Sequence, residues 1–251
     1  MTRREPFTGV LRVVRFNWPF YATAPVVAVS GCGTLAFSND LPIRIAALVA
    51  LLGSTWFLVG SLTASHLVYD RSDLHRGEWL ARAFPEPPDS IALCHCGFDE
   101  ISSVVRSRFP ASQWTVFDHY DEAIVDEPSI RRARRLFPPA RGTRPVPHSA
   151  WPAAGGTFDA IVGALALHEL RTDVARAAWF SEAKRCLSPT GRLVLVEHIR
   201  DVPNFAAFGP GFLHFHSAAT WQRAWERAGL FCADTFCITP FVRVFVLRHH
   251  D

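Results

Sequence analysis

Histidine and glutamate residues recur at the ends of apolar runs in the second half of the chain. His168 and Glu169 follow one such run, Glu197 ends the next, and the segment beyond it carries His214 and His216. Histidine exchanges protons near neutral pH, and a neighbouring carboxylate orients the ring or stabilises its charged form. We therefore interpret His214 and His216 as alternative general bases, with Glu197 and His168 as further catalytic candidates.

Structural roles are the alternative for each of these residues. A loop histidine can simply bond a backbone carbonyl, and Glu197 can cap a helix or pair with Arg200. The His/Glu set also contains enough donor atoms for a metal ion, but spacing along the chain does not show that they converge. In Cys94-His95-Cys96 the side chains of a strand alternate between faces, which leaves only the two cysteines on one side. We assign no metal ligand from the sequence.

A second group of residues lies where nucleotide-binding folds hold a nucleoside. Gly97 follows an apolar run that ends at Cys96, and Asp118 ends the next run about 20 residues later. In open α/β sheets, ligands bind beyond the carboxyl ends of the strands, and an acidic residue there bonds ribose hydroxyls. The alternative for Asp118 is a helix cap or a surface turn, and for His148 it is a solvated loop position.

Strands and helices alternate from about residue 90 onward, and most residues of both candidate groups lie at or near the ends of the predicted strands. Apolar runs predict strands, and the segments between them have the polar periodicity of helices. The expected strands are Ile91–Cys96, Trp114–Asp118, Phe158–Leu165, Arg192–Glu197, Phe231–Ile238 and Val242–Leu247, and the expected helices are Ser102–Arg108, Ile130–Phe137, Asp173–Leu187 and Ser217–Gly229. This alternation predicts a Rossmann-like, doubly wound and mainly parallel α/β sheet that ends in an antiparallel pair.

One succession of motifs resembles a known enzyme family. The sequences FDAIV at 158–162, LHEL at 167–170 and CLSPTGRLVLVEH at 186–198 follow one another. Together they resemble class I S-adenosylmethionine-dependent methyltransferases over about residues 89–248. The resemblance implies the seven-stranded sheet of that family, its activity and S-adenosyl-L-methionine as cofactor. In the glycine-rich loop of the family only Gly97 keeps its place, while His95 and Asp99 stand at the flanking glycine positions.

The resemblance also implies roles for single residues in a cofactor site. Gly97 lets the backbone approach the methionine part, and Asp118 binds the ribose. His119 and residues 148–151 border the adenine. The cofactor-binding residues implied in this way are Cys96, Gly97, Asp99, Asp118, His119 and His148.

The first quarter of the chain predicts a transmembrane hairpin. The runs Pro19–Phe37 and Ile45–Ala64 are almost free of charge and approach the roughly 20 residues of a transmembrane helix, with a turn between them. Arginines flank both outer ends, and the turn is followed only by Arg44, so the positive-inside bias puts both ends in the cytoplasm. A cleaved signal peptide and a buried helical pair of a soluble protein are the alternatives.

These patterns divide the chain into three parts. Residues 1–65 form the N-terminal transmembrane hairpin, residues 66–89 a connecting helix and linker, and residues 90–251 the methyltransferase domain. Lys184 is the only lysine, and the arginines between 131 and 135 fit the solvated face of one helix, which argues against a nucleic-acid partner. The six cysteines form no CxxC pair, as expected of reduced thiols in a cytoplasmic domain.

The expected function is methylation of a lipophilic small molecule at the cell membrane, with two spans and a cytoplasmic catalytic domain. A loop rich in Phe and Gly after Glu197 suits a lid over an apolar acceptor. The expected partners are this substrate, the lipid bilayer, and a second copy of the chain associated through the hairpin. Two other functions stay open: a cofactor-binding or assembly protein without turnover on the same fold, and non-methyl, metal-assisted chemistry at the His/Glu set.

Overall fold

A seven-stranded sheet forms the centre of the computed structural model, which describes residues 5–125 and 127–250. The strands are β1 (Ser90–His95), β2 (Gln113–Asp118), β3 (Arg144–Pro145), β4 (Phe158–Ala164), β5 (Leu187–His198), β6 (Leu230–Thr239) and β7 (Val242–His249). Their order across the sheet is β3-β2-β1-β4-β5-β7-β6, and β7 runs antiparallel to both of its neighbours. The predicted mainly parallel α/β sheet with a closing antiparallel pair is therefore confirmed.

The central strands are apolar on both faces because helices cover the sheet on both sides. Ile161 and Leu193 pack into one buried cluster with Trp179. Their chain neighbours Val162 and Val194 point the other way, into a second cluster. Full burial of one such side chain contributes roughly 1.5–3 kcal/mol, so the two clusters fix the register of β4 against β5.

Nine helices flank the sheet or precede it within the described residues. They are α1 (Thr8–Phe16), α2 (Trp18–Phe37), α3 (Leu41–His66), α4 (Leu80–Ala83), α5 (Ser102–Arg108), α6 (Pro128–Leu136), α7 (Asp173–Cys186), α8 (Val202–Phe208) and α9 (Ala218–Arg227). The sequence does not predict α1, the two-residue strand β3 or α8. The segment after Glu197, expected to be a loop that acts as a lid, instead forms α8 and a 3₁₀ turn. Strand β5 begins five residues before the predicted start, because Leu187 already pairs with Phe158 ahead of a register shift.

The predicted hairpin consists of α2 and α3. These helices have 20 and 26 residues and are long and apolar enough to cross a membrane. Their lengths correspond to about 30 and 39 Å. Only a small share of either helix is buried within the described chain, unlike the core pair of a soluble domain.

The carboxyl-terminal half of α3 packs on the domain. The indole Nε1 of Trp56 donates to the carbonyl of Ala206 at 2.9 Å. A Cβ on Gly60 would lie 2.7 Å from the carbonyl oxygen of Ala207, so the glycine lets α8 approach closely. In place of the predicted connecting helix, a π-helical turn (Leu67–Arg71), a 3₁₀ turn and α4 lead into β1.

The contact of α8 with Gly60 gives a test on the stability of the fold. Alanine in place of glycine inside a helix normally stabilises it by roughly 1 kcal/mol. We expect Gly60→Ala nevertheless to lower the apparent melting temperature of the detergent-purified chain, because its Cβ meets backbone. Gly53→Ala in the same helix is the control, since its Cβ would meet no described atom within 4 Å. An equal, positive shift in both variants would show that α8 does not pack on α3.

Candidate active site

A cavity of about 670 Å³ lies between the N-terminal helices and the carboxyl edge of the sheet. Residues of α1, α2, α3 and the following π-helical turn form one wall. Residues just beyond β1 and β4 and the last residue of β5 form the opposite wall, and α6 and a 3₁₀ turn (Gly209–His214) close the sides. Ligands of such sheets bind at this edge, as expected of an active site. The lining includes Phe20, Tyr21, Phe57, Tyr69, Glu127, His168, Glu169, His198 and His214.

Glu197 lies buried near the carboxyl end of β5, beside the turn that follows β4. Its side chain is fully buried, and Oε1 accepts hydrogen bonds from the N–H groups of Ala166, Leu167 and His168 at 3.1, 2.8 and 3.3 Å. Leu165, just before them, has a φ of 51°, a left-handed conformation that costs energy for a residue other than glycine. This turn brings successive N–H groups to one carboxylate, and it places the next side chains at the cavity.

His168, Glu169 and His214 form a hydrogen-bonded cluster on the cavity wall. His168 Nδ1 lies 2.7 Å from Glu197 Oε2, and its Nε2 lies 3.4 Å from Glu169 Oε1. The same Glu169 oxygen is 3.3 Å from His214 Nε2. Burial alone would lower the pKa of His168, but the charges and hydrogen bonds of Glu197 and Glu169 raise it to about 10. The carboxylates therefore stabilise positive charge at this point of the cavity.

His216 is held away from this cluster. Its Nε2 accepts a hydrogen bond from Arg176 at 3.0 Å, and its ring packs edge-on against Trp221. Burial and the charges of Arg176 and Arg171 lower the pKa of His216 to about 3, so the ring stays neutral with its lone pair already used. The geometry therefore argues against His216 as a base, whereas the other three predicted catalytic residues lie together.

Tyr69 and His198 connect the N-terminal helices to the sheet inside the cavity. His198 Nδ1 lies 2.9 Å from the carbonyl of Phe241 and must donate to it, which leaves Nε2 to accept from the Tyr69 hydroxyl at 3.3 Å. Burial and the nearby charge of His168 lower the pKa of His198 to about 4. The neutral ring stacks on Phe215 with 4.8 Å between centroids. His198 thus shapes the cavity and does not add charge to it.

The carboxylate of Asp118, at the end of β2, is already fully engaged. The N–H groups of Gly97 and Tyr120 donate to Oδ1 at 2.9 and 3.1 Å, and His95 Nδ1 lies 3.3 Å from it. Arg134 of α6 forms an ion pair with Oδ2. Burial would raise the pKa of Asp118, but His95, Arg134 and Tyr120 lower it well below its usual value. The residue predicted to bind ribose therefore binds protein groups in this conformation.

Helix α6 also covers the loop after β1. The φ of Gly97 is 93°, which favours glycine, and a Cβ there would lie 2.7 Å from Ile130 and 2.8 Å from Tyr120. The guanidinium of Arg134 stacks over the Tyr120 ring, 4.5 Å from its centroid. The predicted approach of a cofactor to the Gly97 backbone is therefore closed by α6 in this conformation.

The remaining cofactor candidates divide into two groups. His119 is buried and stacks on Trp151 with 5.4 Å between centroids, and Trp151 Nε1 donates to the carbonyl of His148. His119 and the segment from His148 therefore adjoin each other. Asp99 instead accepts the N–H of the first residue of α5, and burial raises the pKa of the Cys96 thiol. Asp99 and Cys96 thus have structural contacts here.

Two buried histidine rings at the ends of β1 and β2 have nitrogen atoms that a bound nucleoside could contact. The Nε2 atoms of His95 and His119 have no hydrogen-bond partner among the described residues. A buried polar group without a partner costs roughly 1–3 kcal/mol, so polar ligand atoms would be stabilised there. Together with the Asp118 carboxylate, these nitrogens suit a ribose and an adenine once Arg134 leaves Asp118. The residues therefore fit S-adenosylmethionine once α6 moves, because that helix carries both Arg134, which binds Asp118, and Ile130, which covers Gly97.

Several solved structures have a fold similar to that of this chain. The PH0226 protein of Pyrococcus horikoshii aligns with 71% of this chain and 89% of its own, at 10% identity and a TM-score of 0.53. Mitomycin 7-O-methyltransferase MmcR aligns with 98% of this chain and 74% of its own, at 15% identity and a TM-score of 0.52. A candidate type 11 methyltransferase of Sulfolobus solfataricus aligns with 70% and 92%, at 14% identity and a TM-score of 0.50.

The chain has the class I methyltransferase fold. No protein-family model matches the sequence, and no curated protein matches it significantly. The fold prediction made from the LHEL and GRLVLVEH motifs is thus confirmed by structure, at identities too low to carry over an activity.

Three residues of this candidate site are not predicted from the sequence. Glu127 lies 4.0 Å from His214 Nδ1, Tyr69 reaches in from the N-terminal part, and Arg134 binds Asp118. The interpretation of the 131–135 arginines as a solvated face is wrong for Arg134. It stands four residues after Ile130, on the apolar face of α6, and that spacing is the signal that points it inward.

The ion pair between Arg134 and Asp118 gives a test of cofactor access. We expect Arg134→Ala to strengthen binding of S-adenosylhomocysteine about tenfold, or about 1.4 kcal/mol, because the ribose no longer competes with a guanidinium. Arg135→Ala, one position further on an exposed face, is the control and should bind like the wild type. Isothermal titration calorimetry measures both. Weaker binding in Arg134→Ala than in Arg135→Ala would mean that Arg134 holds the ligand and does not block it.

Proposed function

We propose that the protein is an S-adenosylmethionine-dependent methyltransferase that acts on a lipophilic small molecule at the membrane. One observation carries the proposal: a single cavity joins the carboxyl edge of a methyltransferase sheet to the apolar N-terminal helices. The sheet edge supplies polar groups for chemistry, and the helices supply an apolar wall. Mitomycin 7-O-methyltransferase, whose fold is similar, is named for methylating a small molecule.

Membrane attachment is supported by the surface of the N-terminal helices. Large apolar side chains of α2 and α3 are exposed, among them Val29, Phe37 and Leu52. Burying them in water-free surroundings is favourable by about 25 cal/mol for each Å². Arginines lie on the domain side of both helices, which favours two spans in the cell membrane with the domain in the cytoplasm. Association of two copies through these helices stays a prediction.

The cofactor would lie against the ends of β1 and β2. Asp118 would bind the ribose and the Gly97 backbone would face the methionine part once α6 moves with Arg134 and Ile130. His119 with Trp151 would border the adenine. When bound, S-adenosylmethionine supplies a methyl group on a sulfonium, which already has a good leaving group. The protein therefore has to position the acceptor and accept the proton that the acceptor loses.

The acceptor would lie across the cavity with its two ends in different surroundings. Its apolar part would contact Phe20, Tyr21 and Phe57 from the N-terminal helices. Its polar atom would meet His168, Glu169 and His214. His214 and the neighbouring carboxylate of Glu127 offer acceptor atoms for the proton that the acceptor loses, whereas His168 carries positive charge. Glu197 positions this cluster through His168.

Substitutions of His214 and His216 test whether the cavity cluster takes part in methyl transfer. His214 lies in that cluster, whereas His216 binds Arg176 away from it. His214→Ala should lower the turnover of labelled S-adenosylmethionine with a membrane lipid extract roughly a hundredfold, with unchanged S-adenosylhomocysteine affinity. His216→Ala should lower the melting temperature, because Arg176 loses one of its buried hydrogen-bond partners, but the folded enzyme should keep its turnover. Equal loss of turnover in both variants would contradict the assignment. Cofactor binding without turnover in the wild type would favour a binding or assembly role.

Membrane attachment predicts the behaviour of the full chain on fractionation. Because α2 and α3 expose apolar side chains along most of their length, we expect the protein to stay in the membrane pellet after a carbonate wash and to need detergent for release. A peripheral protein treated in parallel is the control. Recovery of the full chain in the carbonate supernatant would rule out the hairpin as a membrane anchor.

A further inference from the structure

Three side chains on the cavity wall have the spacing of metal ligands. Glu169 Oε1 lies 3.4 Å from His168 Nε2 and 3.3 Å from His214 Nε2. All three donor atoms lie within 4.8 Å of one another. Two ligands at about 2.0–2.1 Å from one ion, at a tetrahedral angle, are about 3.3–3.4 Å apart. Small rotations of these side chains therefore let them share one cation.

Glu197 orients His168 for coordination. A hydrogen bond of 2.7 Å from His168 Nδ1 to Glu197 Oε2 makes Nδ1 the donor. Nε2, which faces Glu169, is therefore the nitrogen that would exchange its proton for a cation. Metal-binding histidines almost always donate their second ring nitrogen to a carboxylate or carbonyl in this way. Glu197 is itself held by backbone N–H groups, so the ring has little freedom to turn.

The charges around the cluster favour a cation. Glu127 adds a carboxylate beside the two buried ones, with its Oε2 4.0 Å from His214 Nδ1. The nearby guanidinium of Arg171 donates to the carbonyl oxygens of His168 and His214, so it binds backbone and does not fill the space between the ligands. His214 is about a third exposed, which leaves coordination positions open to the cavity.

We propose that His168, Glu169 and His214 bind one divalent transition-metal cation at the cavity wall. Two imidazoles and one carboxylate with open positions suit Zn²⁺, Fe²⁺ or Mn²⁺. The cation would polarise a hydroxyl oxygen of the acceptor, whose O–H bond would break with transfer of the proton to the carboxylate of Glu127, since His214 is then a ligand. That oxygen would form its bond to the methyl carbon as the C–S bond of the sulfonium breaks, which releases S-adenosylhomocysteine. This catalytic role rests on the proposed methyl transfer, whereas the metal site itself does not.

Metal binding is measured on the detergent-purified full chain after chelation and without cofactor. Calorimetric titration with ZnCl₂ gives affinity and stoichiometry, and the visible absorption of added Co²⁺ reports nitrogen and oxygen ligands. We expect one cation per wild-type chain. His214→Ala and Glu197→Gln should each weaken Zn²⁺ binding at least tenfold, the first by losing a ligand and the second by losing the orienting partner. His250→Ala, an exposed histidine near the chain end, should bind like the wild type.

Binding that is unchanged in His214→Ala, or weakened equally in His250→Ala, overturns the proposal. Circular dichroism of each variant excludes misfolding as the cause of lost binding, and His214→Gln repeats the test with a side chain closer in size. Titration of the same samples with S-adenosylhomocysteine separates the two proposals. Cofactor binding without Zn²⁺ binding rejects the metal site alone, whereas Zn²⁺ binding without cofactor binding supports the site and rejects the methyltransferase.

Discussion

The buried carboxylate of Glu197 is the interaction on which the rest of the site depends. An ionised carboxylate out of contact with water is tolerated only when hydrogen bonds and charge compensate for its lost hydration. Here three backbone N–H groups after β4 and the imidazole of His168 supply that compensation. The same bonds hold the end of β4 beside the end of β5 and keep Leu165 in its left-handed conformation. The Glu197 side chain thereby stabilises the backbone turn after β4 and orients His168 in the cavity cluster.

The N-terminal helices pack on the sheet domain and form part of the cavity wall. Gly60 lets α8 pack on α3, Tyr69 bonds His198 inside the cavity, and the carboxylate of Asp70 accepts two N–H groups at the start of α1. Apolar helices and the polar sheet edge therefore enclose a common space. A substrate dissolved in lipid would meet the cluster without passing through bulk water, which is the physical basis for proposing a lipophilic acceptor.

Local patterns predict most of the strands and helices of the sheet domain, whereas the contacts of the site come from residues far apart in sequence. Strand periodicity and the motif around Glu197 are local signals, and the sheet agrees with them. The ion pair of Arg134 with Asp118 depends on how α6 packs, and the separation of His214 from His216 depends on Arg176. Spacing along the chain carries little information on such convergence, because loops and helix packing decide it.

Transfer of a labelled methyl group to a lipid is the most direct measurement of the proposed activity. The purified full chain is incubated in detergent with S-adenosylmethionine labelled in the methyl group and with a lipid extract of membranes, and the label is then partitioned between organic and aqueous phases. We expect label to appear in the organic phase only when the enzyme is present, and excess S-adenosylhomocysteine, which competes for the cofactor site, to prevent it. Label that stays on S-adenosylmethionine at every protein concentration, in a preparation with no measurable S-adenosylhomocysteine binding, would contradict it.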